Sequence, residues 1–532
     1  MSRMKFLGFV GIGIFLICGS INPAIAEELA KEQVVVYGNP AGDIGTIDPQ
    51  GGQLTQDQFH RPNLFDALVH YPIGDANSPN FEPALATKWE VKPDKLTWVF
   101  HLRKGVKWSH GFGEFTADDV VYSYNRAKKG KASAFRGDFA NFKDVKAIDK
   151  YTVQITTHTT DPYMLLKVSN CLSGFIVCKK ALEKANAFDR LMAPNKQETV
   201  GTGRFVFEEY RPKDSLIFLR NDSWWGGKLI IEKYIGKYIA DDRAREMALF
   251  KGEITMTGGL KDEKWLNYMK SKGMVWNPVG PIDLKVLYFN LRKKPFDDRR
   301  VREAFAYGIG QEDVLKLQGK EVSTFADSPV PTDIYGHVKT DWQKYIKRDP
   351  KKAKKLLVEA GYPNGLTVKM FMSKGFWYLD KFIVYQNVLK ESGINLDMTI
   401  IDHAAYKQKM REGVNPIVIW GSKFPTAVGW LRNMYHSNSA MDKPTAQNNY
   451  MYYSNPEVDK LIELAESTLD EKERLAALAK AQHLIVKDLP SIPCIEEFGP
   501  IVRTPWFVPG YDIKANYQFI YDIGVKSRIL KH

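Results

Sequence analysis

Over residues 96–102 the chain alternates: Leu96, Trp98, Phe100 and Leu102 share one face, and Thr97, Val99 and His101 the other. A period of two marks a half-buried strand with one face in a core. Gly105, Gly111 and Gly113 punctuate the next segment, and Thr116 stands where a helix N-cap would, with Asp119 three residues on. Such a pair satisfies backbone donors that no helical carbonyl reaches. The spacing therefore predicts a helix from near Ala117, with Ala117, Val120, Val121 and Tyr124 on its inner stripe. Residues 151–155, 205–207 and 285–289 also read as strands. Asn455 before Pro456 and Glu457 predicts a second capped helix, with Val458, Leu461, Ile462 and Ala465 as its apolar stripe. A third carries Leu475, Leu478, Ala479, Ile485 and Val486, and stops at Leu489 because Pro490 disfavours helical backbone before it. Strands and helices interspersed along the whole chain argue an α/β protein without repeats.

The N-terminus departs from this pattern. Arg3 and Lys5 precede an apolar run over residues 6–18, and Ala24-Ile25-Ala26 offers the small-residue pattern that signal peptidase cleaves. Residues 1–26 are read as a signal peptide and the protein as periplasmic, since the run is shorter than the roughly 20 residues of a spanning helix. Cys18 is not read as a lipid anchor, because Phe15-Leu16-Ile17 lacks the small residues that precede lipidated cysteines. Cleavage leaves 532 − 26 = 506 residues. One core stops growing near roughly 250–300 residues, so two or three domains are expected.

Formal charge is +13, and falls to +11 when Arg3 and Lys5 leave. The basic residues are interspersed with acids, as over residues 94–107, and no recognition motif accompanies them, so no nucleic-acid partner is expected. The net positive field would instead help concentrate an anionic ligand. Three cysteines remain, Cys171, Cys178 and Cys494. At most one bond can form among them: Cys171 and Cys178 either pair or lie buried as small hydrophobes, and residues 173–178 read as a strand that would hold them apart.

The run PALATKWEVKPDKLTWVFHLRKGVKWSHGFGEFTADDVVYSYNR at residues 83–126 resembles the signature of the peptide-type solute-binding proteins of ABC importers, solute-binding protein family 5. VGTGRFVF at 200–207, LYFNLRKKPFDDRRVREAFAYGI at 287–309, DPKKAKKLLVEAGYPNG at 349–365 and SNPEVDKLIELAESTLDEKER at 454–474 continue in the family's order. Gly310 departs from the family, which usually has an aspartate there. The resemblance implies a two-lobed periplasmic binding protein fold of type II, the large three-domain peptide-binding kind, with a hinge between lobes. The first lobe would hold 27–284, with an extra subdomain at about 61–197; the second would hold 285–501, and 502–532 would return to the first. It further implies a monomer that closes on a small-molecule ligand and delivers it to ABC permease transmembrane subunits.

No nucleophile elbow, HExxH helix, P-loop or dinucleotide fingerprint occurs, and Gly201-Thr202-Gly203 lacks a third glycine and a helix start and is, as the resemblance implies, a structural turn, so no catalytic step is expected. The ten histidines are scattered, with none paired at helical spacing. No metal site or cofactor is therefore expected, although relatives that carry nickel or haem keep a metal complex among the candidate ligands. Residues 416–440 align with the family's pocket-lining segment, where peptide-binding relatives place an aspartate shortly after a tryptophan. Here Trp420-Gly421-Ser422 is followed by Lys423, and Glu412 is the only acid from 404 to 440. A peptide ammonium brought against Lys423 would meet like charge, whereas a carboxylate, phosphate or hydroxyl-rich group would find three donors. Alternatively Lys423 turns outward or pairs with an acid. Trp420, Ser422, Phe135, Arg136, Trp377, Tyr378 and His403 fall near family pocket positions and complete the expected ligand-binding set. The favoured ligand is anionic or hydroxyl-rich, such as an opine or oligosaccharide. The alternatives are a true dipeptide or oligopeptide binder, and a chaperone or surface interaction protein on the same fold.

Overall fold

The computed structural model describes residues 28–52, 55–75, 80–170, 174–374, 379–422, 424–512 and 522–532. The leader with Cys18, and also Cys171, Trp377, Tyr378 and Lys423, lie outside the described residues.

A nine-stranded sheet runs through both lobes, in the order Ile417–Ser422, Val275–Phe289, Ser491–Arg503, Met256–Gly258, Val34–Asn39, Lys233–Tyr238, Ser215–Arg220 and Phe205–Arg211, with Ser323–Thr324 also on Ser491–Arg503. The antiparallel strands Val275–Phe289 and Ser491–Arg503 belong to both halves. Residues 275–279 pair with 499–503 on one side of a junction, and 283–288 pair with 491–497 on the other. Between the pairs Val279/Gly499 and Asp283/Glu497, three residues oppose the single Phe498. Gly280 supplies the turn at φ 105, and the Phe498 N–H donates out of the ladder to the Val322 carbonyl at 2.9 Å. Extra residues in one strand bend and twist a ladder, so this bulge is a natural axis between lobes.

Each side has its own core. Val35, Tyr37, Phe205, Phe218 and Tyr234 fill the first, together with Ile523 and Ile529 from the returning C-terminus. In the second, the period of two along one strand separates two faces: Leu287 and Phe289 pack with Phe305, Phe382 and Ile419, while Leu284, Val286 and Tyr288 pack with Trp430 and Ile485. A third core belongs to a four-stranded antiparallel sheet of Ala86–Val91, Thr97–Leu102, Thr152–Thr157 and Phe142–Asp149. There Trp98, Phe100 and Leu102 point inward, as their alternation predicts.

Helix ends follow the local chemistry. The Thr116 N–H donates to the Asp119 carboxylate at 2.9 Å, opening the helix Ala117–Lys129. Asp119 also accepts from the Lys179 N–H at 3.0 Å, tying that helix to the start of Lys179–Lys184. Asn455 accepts from the Glu457 N–H at 2.9 Å and opens Pro456–Ser467. The helix Arg299–Ile309 ends on Gly310 at φ 57 and ψ 177, where an added Cβ would sit 2.5 Å from the Arg348 Cγ. The aspartate usual in the family would not fit this turn, which accounts for the departure. One local expectation fails: in the described part of 173–178, Phe175 makes only an isolated bridge, to Ala67. Cys178 and Cys494 are buried, and burial pushes both thiols up to about 12.

Candidate functional site between the lobes

The subdomain of the first lobe faces the second across a cavity of about 500 Å3. Asp138, Tyr163 and Lys167 line it from one side, and Phe424, Arg432 and Glu466 from the other. Tyr163 precedes the short helix Met164–Lys167, and its N–H donates to Asp161 at 3.1 Å. Asp161 also accepts from Asn141 at 3.1 Å and pairs with Lys167, so one buried carboxylate holds this wall together. On the opposite wall Thr426 caps the helix Ala427–Met434 by accepting from the Gly429 N–H at 3.3 Å, which places Arg432 on that helix beside Glu466. Their charged atoms are 3.6 Å apart. Burial raises the Glu466 carboxyl; Arg432 opposes it, Glu463 reinforces it, and Lys167 opposes it from the other lobe.

The rim is sealed reciprocally. Tyr163 of the first lobe packs against the second-lobe core, and Leu469, between two second-lobe helices, packs against the subdomain core. Arg474 lies over the Tyr163 ring at 5.7 Å.

Of the residues expected from sequence, Trp420 and His403 are brought together. Trp420 stands on the edge strand Ile417–Ser422 and His403 starts the helix His403–Arg411, with their rings stacked at 6.3 Å and 11°. Lys407 lies over the Trp420 ring at 5.4 Å, and burial followed by the Lys407 charge lowers the His403 pKa, leaving it neutral at pH 7. Ser422 pairs through its backbone with Leu284. Arg136 is exposed next to Gly137, which lines the cavity. Phe135 is 4 % exposed and belongs to the core cluster of the four-stranded sheet.

Sequence reasoning missed a buried charge cluster beside the bulge. Asp283 and Lys285 on one crossing strand meet Glu497 on the other, with Lys285 Nζ 2.7 Å from Asp283 and 3.7 Å from Glu497. Lys261, from the loop after Met256–Gly258, reaches Glu497 at 2.8 Å and Asp283 at 3.0 Å. Lys381, on the second-lobe helix Leu379–Lys390, reaches Glu497 at 2.7 Å, and the Gln318 amide donates to the same carboxylate at 2.7 Å. Burial opposes ionisation of Glu497, but the three lysines outweigh it and hold the carboxyl far below its ordinary range. For Lys381 burial wins, and its pKa is lowered. Among the described residues no group of His, Cys, Asp and Glu is arranged to hold a metal ion.

Two lobes joined by paired crossing strands, with a cavity walled by both, define a two-lobed solute-binding protein. The chain matches the bacterial extracellular solute-binding proteins, family 5 (Middle) over residues 80–442, and it belongs to that family. It is similar to heme-binding protein A of Haemophilus influenzae, at 26% identity with 96% of each chain covered. It is also similar to the dipeptide-binding protein of Escherichia coli, at 25% identity with 92% of this chain and 93% of the relative covered. Among solved structures it resembles MoaA of A. tumefaciens R10 in complex with mannopinic acid, at 33% identity and TM-score 0.76, covering 94% of this chain and 100% of that one. The chain is accordingly a solute-binding component of an ABC transporter with the type II peptide-binding fold.

Proposed function

We propose that this protein captures an anionic, hydroxyl-rich solute, and not an ordinary free-amino peptide, between its lobes and delivers it to its permease without a catalytic step. The observation that carries the reading is the substitution at the pocket-lining segment: Lys423 follows Trp420-Gly421-Ser422, with no acid between 413 and 440 to replace the missing aspartate. A lysine there attracts carboxylate and repels ammonium. The mannopinic acid complex of a relative at 33% identity supports a ligand of this chemistry. The cavity walled by both lobes supports capture by closure, since a ligand shifts the lobes together only if it binds that state better. Residues 1–26 fit a leader cleaved on export to the periplasm, where the protein would act as a monomer.

A thermal-shift comparison tests the reading on the mature protein. Mannopinic acid at 100 times its dissociation constant is expected to stabilise by about 2.7 kcal/mol. Lys423→Ala is expected to weaken its binding roughly tenfold to a hundredfold, the loss of one charge-assisted contact worth about 1.5–3 kcal/mol. Tight binding of unmodified dipeptides, indifferent to Lys423→Ala, would overturn the proposal in favour of a true peptide binder.

A further inference from the structure

Residues 341–359 carry seven basic side chains against three acidic ones, a net charge of +4. More than a third of the +11 left after the leader thus sits in 19 of 506 residues. The segment folds on the second lobe as the turn Asp341–Tyr345 and the helix Pro350–Glu359. Ala353 and Leu357 pin that helix to the core. At helical spacing the face turned away from them reads Lys351, Lys354, Lys355 and Val358, all exposed, Val358 at 54 %. Lys344 and Lys347, also exposed, lie just ahead of it in the chain. The fold itself uses the other two cations: Lys352 donates to the Tyr307 hydroxyl at 2.7 Å, and Arg348 pairs with Asp313 at 2.7 Å and Glu391 at 3.0 Å. Among the described residues Lys344, Lys347, Lys351 and Lys354 have no ion pair, and Lys355 has Glu359 at 3.9 Å.

This arrangement works against the helix that carries it. Its first turn holds no acid, and Lys351 and Lys352 stand there at the positive end of the helix dipole. Lys351 is also three and four residues from Lys354 and Lys355, spacings at which like charges destabilise. A solvated helix face of the ordinary kind interleaves its signs, as Glu471, Lys472, Glu473 and Arg474 do at the start of Glu471–Asp488. A lysine stripe kept at a local cost points to an anionic partner outside the fold. None of the five lysines lines the interlobe cavity, and they are spread along the segment, which suits an extended anionic surface and not a small ion. A solute-binding component of an ABC transporter works beside the bilayer that holds its permease. Anionic headgroups form such a surface, and an exposed apolar side chain among lysines, here Val358, enters between them.

We propose that the outer face of Pro350–Glu359, with Lys344 and Lys347, docks on an anionic phospholipid bilayer. The contact is electrostatic and reversible, and it keeps the protein at the membrane surface where its permease lies. The inference goes beyond the solute-capture reading and is independent of which solute is carried.

Co-sedimentation of the mature protein with vesicles tests it, using phosphatidylcholine alone or with about 30 % phosphatidylglycerol, at about 50 mM and about 500 mM salt. Binding is expected with the anionic vesicles at low salt, and is expected to vanish at high salt and on phosphatidylcholine alone. The triple variant Lys351→Gln, Lys354→Gln, Lys355→Gln is expected to bind at least about twentyfold more weakly, at roughly fivefold per lysine. Lys88→Gln, Lys107→Gln and Lys143→Gln together remove the same charge from exposed positions of the other lobe's subdomain, and are expected to weaken binding less than about threefold. Both triple variants are expected to melt no lower than the wild type and to keep its affinity for mannopinic acid. If the wild type ignores the anionic vesicles, or if the two triple variants weaken binding equally, the docking face is wrong and the proposed function stands. Binding to native membranes that trypsin treatment abolishes, with none to the lipid vesicles, would give the face to an acidic protein partner and overturn the proposal as well.

Discussion

The lobes meet in two places built from opposite materials. Beside the bulge the contact is charged and largely buried: Lys261 of the first lobe is held between Asp283 and Glu497, with Lys285 and Lys381 completing the set. At the far rim it is a pair of reciprocal knobs, Tyr163 and Leu469, around a cavity that still has room for a ligand. Position explains the difference. Asp283 and Glu497 flank the bulge itself, so rotation about it displaces them little, and ions once desolvated there need not be rehydrated at each cycle. The rim lies on a longer lever, where a contact must form and break with the ligand. Half-buried apolar and aromatic groups do that at smaller cost than buried ions. The axis thus carries stability, and the rim carries the response to solute.

The largest expected effect breaks the axis. Glu497→Gln removes the buried carboxylate that Lys261, Lys285 and Lys381 share. Removing one partner of a buried ion group costs about 3–5 kcal/mol, to be read by chemical denaturation of the ligand-free protein. Solute affinity of the folded fraction is expected to change less than about threefold, since Glu497 does not line the rim cavity and it is Asp283 and Lys285 that lie against Gly421 of the proposed solute-binding segment. A stability loss below about 1 kcal/mol, or a collapse of affinity without one, would erase the distinction drawn between the two regions.

The adjacent residue sharpens it, because Glu496 points to the opposite face of the same strand. Burial pushes its carboxyl up to about 8; hydrogen bonds from the Thr332 hydroxyl and N–H oppose the rise, and Asp327 and Asp333 add to it. Between the ordinary glutamate value and about 8 the folded protein holds a proton that the unfolded chain releases. Stability contributed here is therefore lost as pH rises through that window. Glu496→Gln is expected to match the wild type near pH 4 and to exceed it by on the order of 2–4 kcal/mol at pH 8, at about 1.4 kcal/mol per unit. Urea titrations at three pH values that run parallel for both proteins would remove Glu496 from the account.

How much of this was legible in sequence depended on the range of the interaction. The capping pairs Thr116/Asp119 and Asn455/Glu457 lie within a turn, and both helices begin where those residues predict. The crossing strands were legible only at 285–289, although the first spans Val275–Phe289. Pro278 sits opposite Pro500 and Gly280 follows in the bulge, residues that argue against a strand because they remove donors or free the backbone. Here they mark the axis, where the ladder is interrupted by design of the fold. The charge cluster draws on residues 261, 283, 285, 381 and 497, and no periodicity couples positions so far apart. Phe135 is read from family position, and only the folded chain shows that it belongs to a core cluster. Tyr163 and Arg432 carried no signal of their own, since each reads as ordinary surface until the lobes bring them to one cavity.

The smallest effect on stability belongs to the rim. Leu469 is half-buried in the loop between Pro456–Ser467 and Glu471–Asp488, and it packs against the core of the other lobe's subdomain. Leu469→Ala removes apolar contact that exists only while the lobes touch, so the ligand-free protein is expected to lose less than about 1 kcal/mol. The same loss applied to the closed complex lowers the barrier to opening, and about 1 kcal/mol corresponds to roughly a fivefold faster release. Stopped-flow displacement of mannopinic acid, followed by tryptophan fluorescence, reads that rate directly. Glu497→Gln should leave it near the wild-type value, so the two variants should separate stability from release in opposite directions. Equal release rates in wild type and Leu469→Ala would mean that the rim does not open with the ligand, and that the axis near Asp283 and Glu497 alone sets the exchange.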